Sequence, residues 1–326
     1  MKAVRFHRTG DADVLVVEDV PTPSPQPGEV LVRVEAAGVN FADTMRRRGA
    51  PYPERSPLPF MPGADVAGSI DALGEGVGGF TVGEPVFAAT HCGGYAQYVC
   101  VPARSLVPRP PELSATDATS LLVQGLTAAL VLRHAGRLGG GERVVVEAAA
   151  GSVGSFAVQL ARLFGASQVI GLASSAGKRA AVLSLGADHA IDYMERSWPR
   201  FVRQATDGRG ADLLLEMTGG ATLLQALQAL SPFGRMVVYG LAGGQAMPID
   251  LQRLVVPNVS VTGFYIGPYL TQHRLIAETL DELIGYVLAG RLKPLIGAVL
   301  PLEDAAEAHR LLESRQTIGK VVLLPW

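Results

Sequence analysis

Cysteine is scarce in this chain of 326 residues, which contains only Cys92 and Cys100. Two thiols cannot build a disulfide framework or a zinc site with four thiolate ligands, and they suit a reducing compartment, so we expect a cytoplasmic protein. Charge of one sign is also scarce, because 28 basic residues face 30 acidic ones and the longest block of like charge is Arg46 to Arg48. This balance predicts no nucleic-acid partner and no electrostatic attraction to a membrane.

Long hydrophobic runs are missing as well. No window reaches the roughly 20 apolar residues that span a bilayer, and the start of the chain carries Lys2 and Arg5 in place of the apolar run of a signal peptide. We therefore expect a soluble protein without a membrane partner. With 48% hydrophobic residues over 326 positions, the chain can bury a large core and exceeds the usual size of one domain, which predicts two domains.

The pattern of the chain changes near Ser120. Before this point, short alternating or apolar segments are broken by Pro and Gly, which predicts a mainly β domain. After it, short β-type runs alternate with helical stretches, as in a parallel sheet covered by helices. The predicted strands of this second part are Arg143 to Glu147, Gln168 to Leu172, His189 to Ile191, Asp212 to Glu216, Arg235 to Tyr239 and Val259 to Gly263. Further helices and strands follow Gly263, so we infer that the chain returns to the first domain.

A strand, a tight turn and a helix are predicted over Val144 to Leu160. In the turn, Ala149, Gly151 and Gly154 occupy the three glycine positions of a dinucleotide-binding fingerprint, where small residues let the pyrophosphate approach backbone N–H groups. Ala149 departs from the glycine pattern, and such a turn alone could be a packing feature. The strands that follow favour cofactor binding, which we assign to Ala150, Gly151, Ser152, Val153 and Gly154.

The end of the second predicted strand of this sheet indicates which dinucleotide is bound. An acidic residue at that place favours the free 2′-hydroxyl of NAD, but Leu172 to Arg179 contains no carboxylate. Ser174 can donate a hydrogen bond and Lys178 can offer positive charge to a 2′-phosphate, so we predict NADPH. The alternative is that the serine caps the next helix and the lysine is simply solvated.

These residues carry a family resemblance. The chain resembles the zinc-independent, zeta-crystallin-like quinone oxidoreductases of the medium-chain dehydrogenase/reductase superfamily. The motifs that carry it are Ala37 to Asp43, Pro62 to Gly68, Gln124 to Ala128, Ala148 to Gly154 and Asn258 to Phe264. The resemblance implies an α/β fold in which a Rossmann doubly wound parallel sheet is inserted in a GroES-like, mainly β substrate domain. We place the GroES-like domain at 1–121 and 267–326 and the NADPH-binding domain at 122–266.

The zinc enzymes of this superfamily differ at the catalytic metal. They carry Cys where this chain has Asn40, and Gly-His-Glu where it has Gly63-Ala64-Asp65, so the resemblance implies that no catalytic metal is bound. His91, Cys92 and Cys100 are too loosely spaced to predict another zinc site. Without a Lewis acid, the acceptor must already be electrophilic, as quinones and α,β-unsaturated carbonyls are.

The resemblance also implies roles for single residues. Asn40 and Tyr52 match positions of the substrate cleft, where the amide of Asn40 could bind a carbonyl oxygen and the Tyr52 hydroxyl could orient or protonate an enolate. A second cleft tyrosine of bacterial relatives is Met45 here, which leaves any two-tyrosine mechanism in doubt. Structural roles stay open, since Asn40 could serve a loop and Tyr193 could be a surface aromatic. Matches to cofactor positions are Thr127, Tyr193, Lys178, Gly240 and Phe264.

The expected activity is NADPH-dependent, metal-independent transfer of a hydride, or of single electrons, to a quinone in the cleft between the domains. The alternatives are a 2-alkenal or enone reductase and a non-catalytic NADPH-binding protein. Val259 to Ile266 is an apolar edge-strand candidate that could pair with a second copy, so we expect a homodimer, as the family resemblance also implies.

Overall fold

The computed structural model describes residues 1–243 and 247–326, which divide into two compact units. The first unit contains Met1–Val123 and Pro294–Trp326, and the second contains Gln124–Lys293. The first unit is therefore built from both ends of the chain, with the second unit inserted between them.

The strands of both units form in short segments rich in β-branched and other apolar residues. In chain order the strands are β1 (Lys2–Arg5), β2 (Val16–Asp19), β3 (Glu29–Val39), β4 (Asp65–Leu73), β5 (Pro85–Ala89), β6 (Tyr98–Pro102), β7 (Leu106–Pro108), β8 (Arg143–Val146), β9 (Gln168–Leu172), β10 (His189–Ile191), β11 (Ala211–Glu216), β12 (Leu230–Val238), β13 (Ser260–Gly263), β14 (Ile296–Pro301) and β15 (Lys320–Leu324). The segments β8 to β13 belong to the second unit and the others to the first.

The α-helices begin after turn or capping residues such as Asn40 and Ser114. They are α1 (Phe41–Arg48), α2 (Ala115–Ser120), α3 (Leu126–Leu130), α4 (Ser152–Leu163), α5 (Ala176–Ser184), α6 (Trp198–Ala205), α7 (Gly220–Ala229), α8 (Gln252–Val255), α9 (Gly267–Leu270), α10 (His273–Leu288) and α11 (Ala305–Glu313).

The main sheet of the first unit has the order β14-β15-β3-β4-β5-β7, with β6 also pairing with β3. The last strand of the chain, β15, lies between β14 and β3: it runs parallel to β14 and antiparallel to β3. Its partners in β3 include Val39, Gly38 and Ala37. The C-terminal strand therefore lies directly beside the segment that leads to Asn40.

In the described part of the second unit, the sheet is parallel and has the order β10-β9-β8-β11-β12-β13. Counted within the unit this is the 3-2-1-4-5-6 order of a doubly wound dinucleotide fold, whose order reverses between β8 and β11. Ligands of such folds bind beyond the carboxyl ends of the strands at that point. The predicted Rossmann doubly wound parallel sheet, inserted in a mainly β domain, is confirmed.

The units join at a different place from the one predicted. The returning segment was expected to start at 267, but in the structure the first unit resumes at Pro294. The reason is that α10 packs on α3, and Arg133 donates a hydrogen bond to Glu282 at 2.8 Å. The apolar face of α10 therefore lies in the second unit, and α9 precedes it there.

Ala115–Ala135 forms a continuous helix of 21 residues that includes α2 and α3. By length and composition it could cross a membrane, which was not expected from the apolar runs of the sequence. In the described residues it is the one helix that meets this test. Within its most apolar window, 78% of the residues are buried in the fold, as in the core helix of a globular protein.

Candidate active site

The turn between β8 and α4 is closely packed, as the dinucleotide-binding fingerprint predicts. A Cβ on Gly154 would lie 2.3 Å from the Ala148 carbonyl oxygen, so only glycine fits there. Ala148 itself has a left-handed φ of 46°. Ala149 is tolerated at the first glycine position because its methyl group faces Gly171 of β9, whose own Cβ would come within 2.9 Å of it.

The start of α4 is suited to bind an anion. Its N-cap is Gly151, which has no side chain to bond the first backbone N–H groups of the helix. These groups belong to Ser152, Val153 and Gly154, and the helix runs for 12 residues. The helix dipole and these N–H groups favour a phosphate. The turn therefore fits the pyrophosphate of a dinucleotide.

At the end of β9 the structure separates the two serines of the sequence. Ser175 is the N-cap of α5 and accepts a hydrogen bond from the Lys178 backbone N–H at 3.3 Å. Ser174, one residue earlier and half-buried, is not the cap. Arg179 lies in the same helix but is paired with Asp192, at 2.6 Å. Ser174 and Lys178 thus stand at the strand end where a 2′-phosphate is expected.

The other predicted cofactor residues lie at different places in the second unit. Tyr193 is half-buried beyond β10 and packs against the core of the unit. Thr127 is buried in α3. Gly240 follows β12, close to Met217, and Phe264 follows β13 with its ring stacked on Tyr269 at 5.1 Å.

Asn40 lies in a buried polar cluster of the first unit. The ammonium of Lys320 donates to the Asn40 side-chain oxygen at 2.9 Å and lies 2.9 Å from a carboxylate oxygen of Asp65. The Asn40 amide N–H donates to the other Asp65 oxygen and to the Gly38 carbonyl. The exposed fractions of Lys320 and Asp65 are 1% and 0%. A buried lysine ammonium therefore holds both Asn40 and Asp65 in place.

A second layer of polar groups surrounds this cluster. Asp43 accepts hydrogen bonds from the backbone N–H groups of Asn40, at 2.9 Å, and Gly63, at 3.1 Å. Burial outweighs these bonds and raises the pKa of Asp43 to about 6. Tyr95 lies between Asp43 and His309, 3.1 Å from the His309 Nε2 atom. Burial and then the charge of Arg47 lower the pKa of His309 to about 3, so this imidazole is neutral.

Tyr52 lies just beyond α1, half-buried and 5.2 Å from the guanidinium of Arg46. Arg46 is itself anchored, because it donates to Ser56 at 2.8 Å and to the His91 carbonyl at 2.9 Å. Arg47 is buried and pairs with Glu313. Arg46 and Arg47 therefore have structural roles, and Arg46 helps to fix the segment that contains Tyr52.

Sequence reasoning missed Lys320, Asp43, Tyr95 and His309. A lysine in an apolar terminal strand and a histidine in a helix have no motif that links them to Asn40. The one available signal was the lysine between Gly319 and the run Val321 to Leu324, where a strand buried on both faces would enclose it. No group of three or more His, Cys, Asp and Glu residues that could hold a metal ion occurs in the described ranges.

Comparison with known proteins gives two domain matches. Residues 26–111 match the alcohol dehydrogenase GroES-like domain, and residues 152–283 match the zinc-binding dehydrogenase domain. The chain is 36% identical to a 2-haloacrylate reductase of Burkholderia sp, over 99% of this chain and 98% of that protein. It is 33% identical to the quinone oxidoreductase of Rattus norvegicus, with the same coverage. The crystal structure of Escherichia coli quinone oxidoreductase complexed with NADPH superposes with a TM-score of 0.93, at 30% identity and full coverage of both chains.

Proposed function

From the premise that this chain belongs to the zeta-crystallin-like branch of the medium-chain dehydrogenase/reductase superfamily, we propose that it is an NADPH:quinone reductase that needs no catalytic metal. The chain is an oxidoreductase, and its cofactor is NADPH. The observation that carries the metal-free proposal is the Lys320 ammonium between Asp65 and Asn40, which supplies the positive charge in this cluster.

The cofactor residues have separate tasks in this proposal. Ala150, Gly151, Ser152, Val153 and Gly154 form the turn that receives the pyrophosphate. Ser174, Lys178 and Tyr193 surround the 2′-phosphate of the adenosine, where an ammonium also adds charge attraction. Thr127, Gly240 and Phe264 position the nicotinamide.

The reaction needs little covalent chemistry from the protein. NADPH, when bound, supplies the hydride, and the chain supplies orientation and a site from which water is excluded. Asn40 is held by Lys320 and Asp65, so its carboxamide presents a fixed dipole to an acceptor oxygen that gains negative charge. The Tyr52 hydroxyl orients or protonates the reduced acceptor.

A second candidate, reduction of a 2-alkenal or enone, is favoured by the similarity to the 2-haloacrylate reductase, because a haloacrylate is a conjugated alkene. Both candidates use the same cofactor and differ in the acceptor. A non-catalytic NADPH-binding protein is the third outcome that the assay must separate.

The test is oxidation of NADPH by metal-stripped protein, measured in parallel with a naphthoquinone, a simple enone and 2-chloroacrylate, with NADH as the control donor. Quinone-dependent turnover that prefers NADPH supports the proposal, and turnover confined to the alkenes establishes the second candidate. Tight NADPH binding without turnover identifies a binding protein. Activity that returns only with added zinc refutes the metal-free mechanism. Tyr52→Phe should lower kcat, whereas the matched variant Tyr98→Phe should not.

We also propose a cytoplasmic homodimer. The edge strand β13 ends the parallel sheet, and nearby side chains are unusually exposed: Leu251 by 70%, Val255 by 71% and Val256 by 83%. Pairing of β13 with a second copy would continue the sheet and cover these residues. Light scattering of the wild type and of Val256→Glu tests this, since the charge should produce a monomer. A monomeric wild type would refute it.

A further inference from the structure

Two glutamates lie buried side by side at the carboxyl ends of the central strands of the second unit. Glu147 follows β8 directly, and Glu216 is the last residue of β11, which pairs with β8 through Leu215 and Val146. Their exposed fractions are 1% and 0%. They stand at the point where the strand order reverses, immediately before the phosphate-binding turn.

The hydrogen bonds of the two carboxyl groups are unequal. One oxygen of Glu216 accepts from the backbone N–H groups of Thr218, at 3.0 Å, and Gly219. One oxygen of Glu147 accepts from the Met217 N–H at 3.3 Å. The remaining oxygens, Oε1 of Glu147 and Oε2 of Glu216, are buried and make no close hydrogen bond among the described residues. Burial and the Glu216 carboxyl group raise the pKa of Glu147 and the Thr218 side chain lowers it, so both side chains lie near this carboxyl group. Two carboxylates cannot both keep their charge in such a place. The two side chains lie within hydrogen-bonding reach of each other, so one shared proton would satisfy both.

We propose that Glu147 and Glu216 share a single proton at neutral pH, and that this proton holds Met217, Thr218 and Gly219 in the arrangement that NADPH binding requires. The pair acts as a positioning device for the cofactor, not as a catalytic acid. The proton belongs mainly to Glu147, because the two N–H donors at Glu216 stabilise a charge there. Burial and the neighbouring charge of Glu216 raise the pKa of Glu147 to about 8.

Met217 and Thr218, which the glutamate pair holds, also bind the loop after β12. The Met217 carbonyl accepts from the Ala242 N–H at 2.9 Å, and the Thr218 carbonyl accepts from the Gly243 N–H at 2.7 Å. The loop after β12, which contains the proposed cofactor residue Gly240, is thereby tied to the loop after β11. Glu147 also precedes Ala148 of the phosphate turn. The shared proton therefore lies beside the first residues of the phosphate turn and of the loop after β11. The loop after β12 is hydrogen-bonded to the loop after β11.

Loss of the proton would place two negative charges in one buried site. The titratable groups that bear on the pair are the two glutamates and Tyr239 at the end of β12. Burial and both glutamates raise the pKa of Tyr239, so it stays neutral and offers no positive charge. Repulsion should then displace Met217 to Gly219 and weaken the binding of NADPH, which is itself an anion.

The experiment measures the affinity for NADPH by fluorescence titration between pH 7 and pH 9.5. In the wild type the dissociation constant should rise above pH 8, by up to about tenfold per pH unit for loss of one proton. In Glu147→Gln the amide donates permanently to Glu216, so the dissociation constant should stay flat across this range. Asp281→Asn, an exposed carboxylate of the same unit, is the matched control and should behave as the wild type.

A second readout does not depend on the cofactor. Infrared spectra of the apoprotein should contain a protonated-carboxyl band at pH 7 that disappears above pH 8 and is absent in Glu147→Gln. Absence of that band from the wild type would overturn the shared proton. Its presence together with an affinity that does not change with pH, or that changes equally in Glu147→Gln, would overturn the positioning role.

Discussion

The buried ion pair between Lys320 and Asp65 makes a quantitative prediction about stability. Replacement of Lys320 by Met keeps most of the side-chain volume but leaves the Asp65 carboxylate buried without its counter-ion. At the observed separation of 2.9 Å, and with an effective dielectric constant of about 20, the lost attraction is about 6 kcal/mol. Measured losses after one partner of a buried pair is removed are about 3 to 5 kcal/mol, so we expect a destabilisation in that range.

The two tryptophans allow this loss to be measured in one unit. Trp326 lies in the first unit, against Tyr98 and Arg33, and Trp198 is buried in the second. In a Trp198→Phe background, Trp326 fluorescence during urea unfolding reports the first unit alone. Lys320→Met should lower the urea midpoint by roughly 1 to 2.5 M, for a slope of about 2 to 3 kcal/mol per M.

The double variant Asp65→Asn/Lys320→Met is the decisive control. It removes both charges, retains an amide oxygen for the Asn40 N–H, and should recover most of the stability that Lys320→Met loses. If Lys320→Met costs less than about 1 kcal/mol, or the double variant is no more stable than the single one, the ion pair does not hold this cluster together.

Three further predictions concern Gly38 and His309 of the first unit and Lys178 of the second. Gly38→Ala should destabilise the first unit by about 1 to 3 kcal/mol in the urea assay, since its Cβ would overlap a carboxylate oxygen of Asp65 and lie 2.5 Å from the Lys320 Cε atom. An unchanged midpoint would contradict this close packing. Since the pKa of His309 is lowered to about 3, the native imidazole stays neutral, while the unfolded one gains a proton below pH 6.5. The free energy of unfolding should therefore fall as the pH falls, by about 1.4 kcal/mol per pH unit. Between pH 6.5 and 5, His309→Gln should lose about 2 kcal/mol less of this free energy than the wild type. Equal slopes for the two proteins would refute it. Lys178→Ala should weaken NADPH binding by about ten- to hundredfold and leave NADH unaffected, as measured by fluorescence titration with Lys293→Ala as control; equal losses for both cofactors would exclude a 2′-phosphate contact.

Local features of the sequence predicted much of the second unit. The fingerprint turn depends on Gly151, Gly154 and the flanking apolar strand and helix, all within about 20 residues, and the parallel sheet and NADPH as cofactor were confirmed. The boundary at 267 differed from the observed 294 because the amphipathic pattern of α10 identifies a buried face but not the surface that covers it.

The polar clusters depend on contacts that no local pattern contains. Lys320 and Asn40 are 280 positions apart, and Met217 and Glu147 are 70 apart. A motif reports residues that are close along the chain, whereas these groups meet only because strand order brings β15 beside β3 and β11 beside β8. The roles of Asn40, Tyr52 and the cofactor residues stay predictions until variants are measured.

The position of β15 between β14 and β3 has a consequence for how the protein is made. During synthesis, β3 and β4 leave the ribosome with Asn40 and Asp65 roughly 10 to 50 s before Lys320 is added, at about 5 to 20 residues per second. Until then the carboxylate of Asp65 has no ammonium to pair with, and β3 lacks its neighbour on that side. The first unit therefore reaches its native structure only after β15 has left the ribosome, and a nascent chain that stops before β15 exposes an open sheet edge to chaperones and proteases.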